Sequence, residues 1–494
     1  MTNETEKPAK RSQQYRNWLS LSGAIIALGS FFSFILLFAF DFISHHGNPY
    51  MGILAYVVAP AFLILGLLLI ALGAWIERRH SRRIAAGAAR HALTIDLSRQ
   101  RDRRALIGFI AGAVLFLLVS AFGSYQTYHY SESVHFCGQT CHTPMNPEFT
   151  TYLNSPHARV ACTECHVGSG ATAYVKAKIN GVHQLVCTFS GHYERPIKTP
   201  IKNLRPAQET CEQCHWPSRF VGNLDRTYSH FLADETNTPF TVRLLLKVGG
   251  GDSRHGPAGG IHWHMNLANK VEYIAGDERR QDIPWVRVTE TNGVVTEYRT
   301  PKFTDDPAKH TIHTMDCMDC HNRPAHHFRS PDDAVDLALS LGRVDTSMPW
   351  VKSNLLAALI QPYAAEADAL QKIATTLRAQ YPNDPKAEQL VAEARQLYRN
   401  NFFPEMKADW RAYPNNIGHK NWAGCFRCHD GLHKSTTGKR MIPASDCNSC
   451  HTILAQGSGP QLDQLNAKGH GFFHLDAEYS DFSCVNCHTG AFTK

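Results

Sequence analysis

The sequence predicts a protein in two parts: a three-helix membrane anchor, and a loop-rich outer domain with some helices and a small β-rich insert. Two observations predict this architecture. Three uncharged apolar runs lie within the first 124 of the 494 residues. Fourteen of the 15 cysteines fall in close pairs, and a histidine directly follows each pair. The paired thiols indicate that the outer domain folds around a bound prosthetic group and not around disulfides.

Each apolar run is long enough to cross a bilayer as a helix. The runs are Trp18 to Phe40, Met51 to Trp75 and Ala105 to Ser124. The first run has the position of a signal peptide, but its apolar core is too long and two further runs follow. We therefore expect residues 1–124 to form a cytoplasmic tail and a three-span anchor.

Basic residues set the expected orientation of the anchor. The tail from Met1 to Arg16 and the segment from Glu77 to Arg104 carry 13 Lys and Arg between them, whereas Asp41 to Tyr50 has none. Because Lys and Arg concentrate in cytoplasmic loops, we expect a multi-pass protein of the cell inner membrane. Everything after Ser124 then lies in the periplasm, and the lipid bilayer is a partner.

The formal net charge of +7 does not indicate nucleic-acid binding. The tail and the segment from Glu77 to Arg104 account for the whole excess, and the outer domain is close to neutral. A near-neutral outer domain lacks the basic surface that nucleic-acid binding requires, so we expect no nucleic-acid partner.

Six cysteine pairs have the form Cys-x-x-Cys-His, the attachment signature of c-type haem. Both thiols form thioethers to one haem, and the adjacent histidine binds its iron. Paired cysteines also bind zinc, but zinc does not explain a histidine after every pair. The fold class is therefore a membrane-anchored multihaem cytochrome c. The cysteines are Cys162, Cys165, Cys211, Cys214, Cys317, Cys320, Cys425, Cys428, Cys447, Cys450, Cys484 and Cys487; the histidines are His166, His215, His321, His429, His451 and His488.

A seventh site, Cys137-Gly-Gln-Thr-Cys141-His142, has one extra residue between its thiols. We expect it to hold the first of seven covalent haems c. The alternatives are a disulfide and a haem with a single thioether. Cys187 is left over and is interpreted as a structural or incidental thiol.

A low-spin haem iron needs a second axial ligand. Met145 lies just after His142 and is a candidate for the first haem, since a thioether raises the potential. The other candidates lie in turn-rich segments beside haem motifs, and the alternative for each is a surface or packing role. They are His157, His326, His419 and His433, with His262, His264, His470 and His474 as weaker candidates.

The motif spacing divides the outer domain into five regions. We expect haems 1–3 in residues 125–225, a β-rich insert in 226–310, haem 4 in 311–335, a helical spacer in 336–410 and haems 5–7 in 411–494. In the insert, Thr241 to Val248 predicts a strand, and Val286 to Tyr298, with Asn292-Gly293 at its centre, predicts a hairpin with a type I′ turn. In the spacer, Leu370, Ile373 and Leu377 predict one helix, and Asp384-Pro385 begins a second.

Several residues between Phe136 and His215 match a known pattern: Cys137 to Met145, Glu148, Asn154 to Arg159, the motif at Cys162, and Lys176 to Lys178. This stretch resembles the NapC/NirT family of membrane-anchored multihaem quinol-oxidising cytochromes c. The whole layout is similar to the larger inner-membrane members associated with extracellular metal respiration. The usual family anchor is one helix. The usual first motif of the family is CxxCHxM. The first motif here has one residue more between its two cysteines, and one residue more between His142 and Met145.

The resemblance implies quinol dehydrogenase activity, with electrons passing from the membrane quinol pool to periplasmic cytochromes or reductases in anaerobic or extracellular respiration. It also implies that Lys178 contacts the quinol, with Lys176 and His183 as the next candidates. Cys137 follows Ser124 by only 13 residues, which places the first haem at the membrane surface. Two alternatives stay open. One is a terminal reductase with an open haem, and the other is a conduit subunit that takes electrons from a partner protein.

The haem count tests the cysteine assignment. We expect seven haems per chain, and replacing Cys137 and Cys141 with Ala should lower the ratio to six, because both thioethers of haem 1 are then lost. The measurement is the haem-to-protein ratio of the purified protein. A ratio of six that these two replacements leave unchanged would show that the longer motif carries no haem.

Overall fold

A computed structural model describes residues 17–43, 58–81, 97–140, 142–167, 170–201, 204–249, 259–265, 269–444 and 447–474. The basic tail, the loop from Asp41 to Tyr50 beyond Ile43, most of the basic segment after Ser81, Cys141 and the last haem motif lie outside these residues. The chain forms two compact units. The first unit combines Met1–Phe136 with Cys162–His183, and the second combines Cys137–Ala161 with Gln184–Lys494.

The first unit contains three long helices: α1 (Trp18–Ile43), α2 (Ala59–Ser81) and α3 (Gln100–Glu132). Within the described residues, two segments are long and apolar enough to cross a membrane, Trp18–Ile35 and Ala59–Glu77. The third predicted run lies in α3, whose side chains from Gly112 to Ser124 are outside the described part of the structure. Two candidate spans therefore appear where the sequence predicts three.

Small residues bring α1 and α2 into close contact. A Cβ added to Gly66 would overlap the backbone of Ala27, and one added to Gly23 would overlap the backbone of α2. At one end of the pair, the Asn17 side-chain amide donates to the carbonyl of Gly73 at 3.0 Å. Close backbone approach through small residues is typical of helices that associate in a bilayer.

Two more helices flank the second haem motif: α4 (His142–Leu153) and α5 (Ala171–Ser190). Four further helices form the predicted spacer: α6 (Pro331–Ser340), α7 (Val351–Leu359), α8 (Glu366–Gln380) and α9 (Ala387–Asn401). Ser330 caps α6, because its hydroxyl accepts a hydrogen bond from the amide of Asp333 at 3.2 Å. The predicted helical stripes are confirmed: Ile373 and Leu377 of α8 are fully buried, and Leu390 of α9 nearly so.

Two antiparallel sheets lie in the second unit. The first has the order β1 (Leu224–Phe231), β2 (Pro239–Leu246), β8 (His451–Gly457). The second has the order β6 (Ile312–Thr314), β3 (Lys270–Ile274), β4 (Trp285–Thr289), β5 (Val295–Arg299), β7 (Lys434–Ser435). Each sheet joins a strand of the C-terminal region to the insert, so residues 226–310 do not fold as a separate module.

The predicted hairpin forms, but its turn type was wrong. Strands β4 and β5 pair from Trp285↔Arg299 to Thr289↔Val295. Five residues connect them, and the amide of Gly293 donates to the carbonyl of Glu290 at 2.9 Å. Only Gly293 has a positive φ in this turn, whereas a type I′ turn requires Asn292 to have one as well. The extra residues instead form a type I turn followed by a left-handed glycine.

The buried helical core generates a stability prediction. Replacing Leu377 with Ala should lower the free energy of unfolding of the haem-loaded protein by about 2–5 kcal/mol, because the deletion leaves a cavity among four packed helices. Chemical denaturation followed by tryptophan fluorescence measures it. The control is Leu341→Ala, since Leu341 is exposed at the end of α6 and its replacement should change stability by less than about 0.5 kcal/mol. Equal effects of the two replacements would contradict the packing.

Candidate functional site

Each described haem motif lies on a single turn of helix. Hydrogen bonds from the histidine amide to the carbonyl of the first cysteine close three of these turns. The distances are 2.8 Å for His215 to Cys211, 2.8 Å for His321 to Cys317 and 3.0 Å for His429 to Cys425. The turn brings two thiols and one imidazole to the same side of the backbone, as attachment of one haem requires.

The longer first motif begins in a different kind of turn. Phe136–Thr140 is a π-helical segment, and α4 begins at His142. A π-helix closes i→i+5 hydrogen bonds and so accommodates one residue more than an α-helical turn. The wider turn accommodates the extra residue between Cys137 and Cys141.

Four motif histidines each face a second histidine from a distant part of the chain. Their ring centres lie 6.0–6.4 Å apart. The pairs are His215 with His157 at 6.1 Å, His321 with His262 at 6.4 Å, His429 with His264 at 6.0 Å, and His451 with His419 at 6.2 Å.

These separations are those of two imidazoles that bind one metal from opposite sides. A metal–nitrogen bond of about 2 Å on each side places the two ring centres about 6 Å apart. Contacting aromatic rings lie at similar distances, but here the same spacing recurs at four haem motifs. The residues present therefore fit four haem irons with two axial histidines each.

Hydrogen bonds orient two of the facing histidines. The Nδ1–H group of His157 donates to the carbonyl of Pro324 at 3.1 Å, and that of His264 donates to the carbonyl of Ile261 at 2.8 Å. Because a carbonyl only accepts, Nδ1 carries the proton and Nε2 is left as the lone-pair donor. Such a bond is what fixes the tautomer of a metal-binding histidine.

Burial favours the neutral form of four imidazoles in these pairs. It lowers the pKa of His262, and the neighbouring His321 imidazole lowers that pKa further. Burial also lowers the pKa of His321, His429 and His451. A neutral imidazole is the form that binds a metal ion, so burial favours the binding-competent state.

One short turn, Ile261–Met265, supplies the facing histidines for two motifs. It is anchored by two backbone hydrogen bonds, from Ile261 to Lys247 at 2.8 Å and from His262 to Val248 at 3.0 Å. This approach requires glycine at position 260, where φ is +72° and an added Cβ would collide with the Lys247 carbonyl. The close backbone contact fixes His262 and His264 together.

Motifs 4 and 5 are bonded to each other through the residues between their cysteines. Arg427 donates to the carbonyl of Asp319 at 2.7 Å and to the carbonyls of Gly424 and Arg280 at 2.9 Å each. The buried Asp319 carboxylate accepts from Arg280 at 3.1 Å and from the hydroxyl of Tyr273 on β3. These bonds tie two haem motifs and the five-stranded sheet into one rigid cluster.

Comparisons with known proteins place this site in a family. The N-terminal region of the NapC/NirT cytochrome c family matches residues 99–209. The chain is 39% identical over 492 residues to the cytochrome c-type protein ImcH of Geobacter sulfurreducens, covering 96% of this chain and 95% of that protein. The chain belongs to the NapC/NirT family. No solved structure matches it.

Family membership confirms part of the interpretation drawn from the cysteine pairs. As a NapC/NirT cytochrome, the chain is a membrane-anchored electron-transfer protein that carries covalent haem c. Among the described residues the cysteines, including Cys187, form no disulfide.

Two of the four main distal candidates of this NapC/NirT cytochrome, His157 and His419, face motif histidines. His433 does not: its side chain is fully buried, Nδ1 lies 2.8 Å from an Asp430 carboxylate oxygen, and Nε2 lies 2.7 Å from the Ile283 carbonyl. Protein atoms thus lie within hydrogen-bond distance of both ring nitrogens of His433, and His264 is the residue that lies opposite His429.

The remaining candidates have other surroundings. His326 directs Nδ1 at the Glu148 carbonyl at 2.9 Å, and its part in haem binding stays a prediction. Met145 is half-buried on α4, three residues after His142, whose side chain lies outside the described part. His470 and His474 lie just before the undescribed last motif.

Two histidines expected to be weaker candidates, His262 and His264, lie opposite motif histidines, and the roles of Asp319 and Arg427 were not predicted. A usable signal existed for the second pair. Cys317-Met-Asp-Cys320 and Cys425-Phe-Arg-Cys428 carry opposite charges between their thiols. Opposite charges in two motifs indicate a contact between them, although the contact made here runs largely through the Asp319 carbonyl.

The facing pairs generate a spectroscopic prediction. Replacing His262 or His264 with Ala should convert one haem of the oxidised protein from low spin to high spin, because its iron loses one axial ligand. Electron paramagnetic resonance measures the change. The control is His433→Ala, which should leave every haem low-spin while costing about 1–3 kcal/mol of stability through lost hydrogen bonds. A high-spin signal in His433→Ala alone would show that His433, and not His262 or His264, binds a haem iron.

Proposed function

We propose that this NapC/NirT cytochrome oxidises quinol at the inner membrane and passes the electrons through seven haems to periplasmic cytochromes or reductases. The facing histidine pairs carry this proposal. A haem with two axial histidines transfers one electron and has no open position for a substrate. Four such pairs favour electron transfer over a terminal reductase.

The proposed anchor has three spans, with the haem domain in the periplasm. Helices α1 and α2 supply the candidate spans, and α3 supplies the third apolar run. Three crossings place the end of α3, at Glu132, on the periplasmic side, since the positive-inside rule keeps the basic segment before it in the cytoplasm.

Lys178 lies on α5 against the end of α3, within the first unit. Its ammonium group donates to the hydroxyl of Ser131 at 3.2 Å and forms an ion pair with Glu132. It also lies 5.1 Å from the ring centre of Tyr174. The Glu132 carboxylate is mostly buried, which strengthens its interaction with Lys178.

A quinol releases two protons together with its two electrons, so its site needs side chains that hold the headgroup and accept protons. We propose that Lys178 hydrogen-bonds a quinol oxygen while the paired Glu132 carboxylate accepts a proton. Both lie where α3 leaves the membrane in the proposed topology. This position suits a substrate that diffuses within the bilayer.

The exposed face of α5 supports a location at the membrane surface. Val175, Ile179, Val186 and Phe189 recur at helical spacing, and all four are exposed, Phe189 by 85%. A helix with one apolar exposed face and lysines beside it is typical of helices that lie in a membrane interface. Lys178 borders this face.

The proposed electron acceptor is a periplasmic redox protein serving anaerobic or extracellular respiration. The similarity to ImcH along nearly the whole chain supports a role of this kind, since both chains are cytochromes c of similar length. The competing proposal is a conduit subunit that takes electrons from a partner protein. It predicts no direct reduction of the purified protein by quinol.

Replacing Lys178 with Leu should slow reduction by a quinol analogue about 100-fold, the usual scale for loss of a proton-transfer group. Stopped-flow absorbance of the haem bands measures the rate. Reduction by dithionite and the haem count should not change. The control is Lys372→Leu, which removes an exposed lysine of α8 and should leave the rate intact.

Unimpaired quinol-driven reduction in the Lys178 variant would remove this residue from the mechanism, and Lys176 and His183 would be tested next. If quinol analogues fail to reduce the unmodified protein, the conduit proposal replaces quinol oxidation.

A further inference from the structure

Arg323 is a buried cation whose carboxylate-binding edge has no acceptor among the residues that the structure describes. Its side chain is 8% exposed. No residue in the described part of the chain accepts a hydrogen bond from Nε or Nη2, and both nitrogens are buried. An unpaired buried charge is strongly unfavourable.

The surroundings of Arg323 only partly compensate its charge. The nearest carboxylate, Glu148, lies 3.7 Å from Nη1, beyond hydrogen-bond distance. The guanidinium carbon lies 3.9 Å from the ring centre of Tyr413, a cation–π contact. Burial lowers the pKa of Arg323, and Glu148 opposes that effect.

Nε and Nη2 form the guanidinium edge that binds carboxylates elsewhere in this protein. Arg243 uses these two nitrogens for Asp225, Arg378 uses them for Glu388, and Arg411 uses them for Asp409. At Arg378 the two bonds reach both oxygens of Glu388, the parallel pairing of arginine with a carboxylate, whereas at Arg411 both bonds reach one oxygen of Asp409. At Arg323 the same edge is buried without an acceptor from the described residues.

The position of Arg323 identifies a source of carboxylate. Arg323 comes two residues after His321, the iron ligand of motif 4. The next residue, Pro324, accepts the hydrogen bond that orients His157 opposite His215. Arg323 therefore lies on the segment between the ligands of two haems, and each haem brings two propionate carboxylates.

We propose that Arg323 binds a haem propionate through Nε and Nη2 and thereby raises the reduction potential of that haem. The cation does so by favouring the reduced iron, which carries one positive charge fewer. The proposal rests on haem attachment at Cys317 and Cys320, part of the proposed function. Haem 4 is the assigned source, because its motif is adjacent in the chain.

The test compares Arg323→Leu and Arg323→Lys with the unmodified protein. The matched control is Arg343→Leu, which removes a partly exposed arginine beside Glu393, away from the haem motifs. Three quantities are measured: the haem-to-protein ratio, the propionate bending bands in resonance Raman spectra, and the midpoint potentials in a redox titration at fixed pH.

In Arg323→Leu we expect an unchanged haem ratio, a shifted propionate band, and a fall in the potential of one haem. A tenfold loss of preference for the reduced form corresponds to about 59 mV for a one-electron couple. Arg323→Lys should shift the band but lower the potential less, since it keeps the charge and loses the two-bond geometry. The control should change neither.

Unchanged propionate bands in a haem-loaded Arg323 variant would overturn the proposal. If the Arg323→Leu protein does not acquire its haems, Arg323→Lys is the test. Unchanged propionate bands in that variant would overturn the proposal. A potential of the unmodified protein that follows chloride or phosphate concentration would instead identify a solvent anion as the occupant and reject the propionate. Loss of haem attachment is tested separately by Cys317→Ala with Cys320→Ala, which should lower the haem ratio by one.

Discussion

The second unit depends on bringing imidazoles into facing pairs at a fixed separation. Local structure supplies only one member of each pair, because the helical turn of a haem motif presents one histidine. The facing residue comes from 32 to 165 positions away, as in His419 with His451 and His264 with His429. The loops, the two sheets and the spacer helices hold these distant segments in place. Their course through the fold brings each pair of rings to a separation of 6.0–6.4 Å.

Buried polar contacts provide much of the rigidity that such a site needs. Arg427 bonds to three carbonyls, and Asp319 links motif 4 to β3. Beside the fourth pair, Lys420 bridges Asp332 and Asp333 at the start of α6 at 2.6 and 2.7 Å, which holds the neighbouring His419. An iron site tolerates little displacement of its ligands, and charged hydrogen bonds are stronger and more directional than apolar contacts. The helical core of α6–α9 supports these contacts.

Local signals predicted the features that depend on nearby residues. Helical periodicity identified the stripes on α8 and α9, and apolar length identified α1 and α2. The iron-binding role of the motif histidines stays a prediction from their spacing. Contacts between residues far apart in the sequence could not be predicted in this way. Nothing in the sequence near His433 shows that its Nε2 lies against the carbonyl of Ile283. Likewise, His262 and His264 become neighbours of motifs 4 and 5 only through the backbone contact at Gly260. Long-range pairing is encoded in packing, which no short window of sequence contains.

In all four pairs the facing histidine precedes the motif histidine in the chain. This order bears on biogenesis, because a chain is made and exported from its N-terminus and its domains fold in that order. When Cys425 and Cys428 emerge, the turn that carries His262 and His264 has already emerged. In each of the four pairs, the histidine that would supply the second ligand would therefore be in place before the haem motif that it faces. This order would let each pair form as soon as its motif is complete.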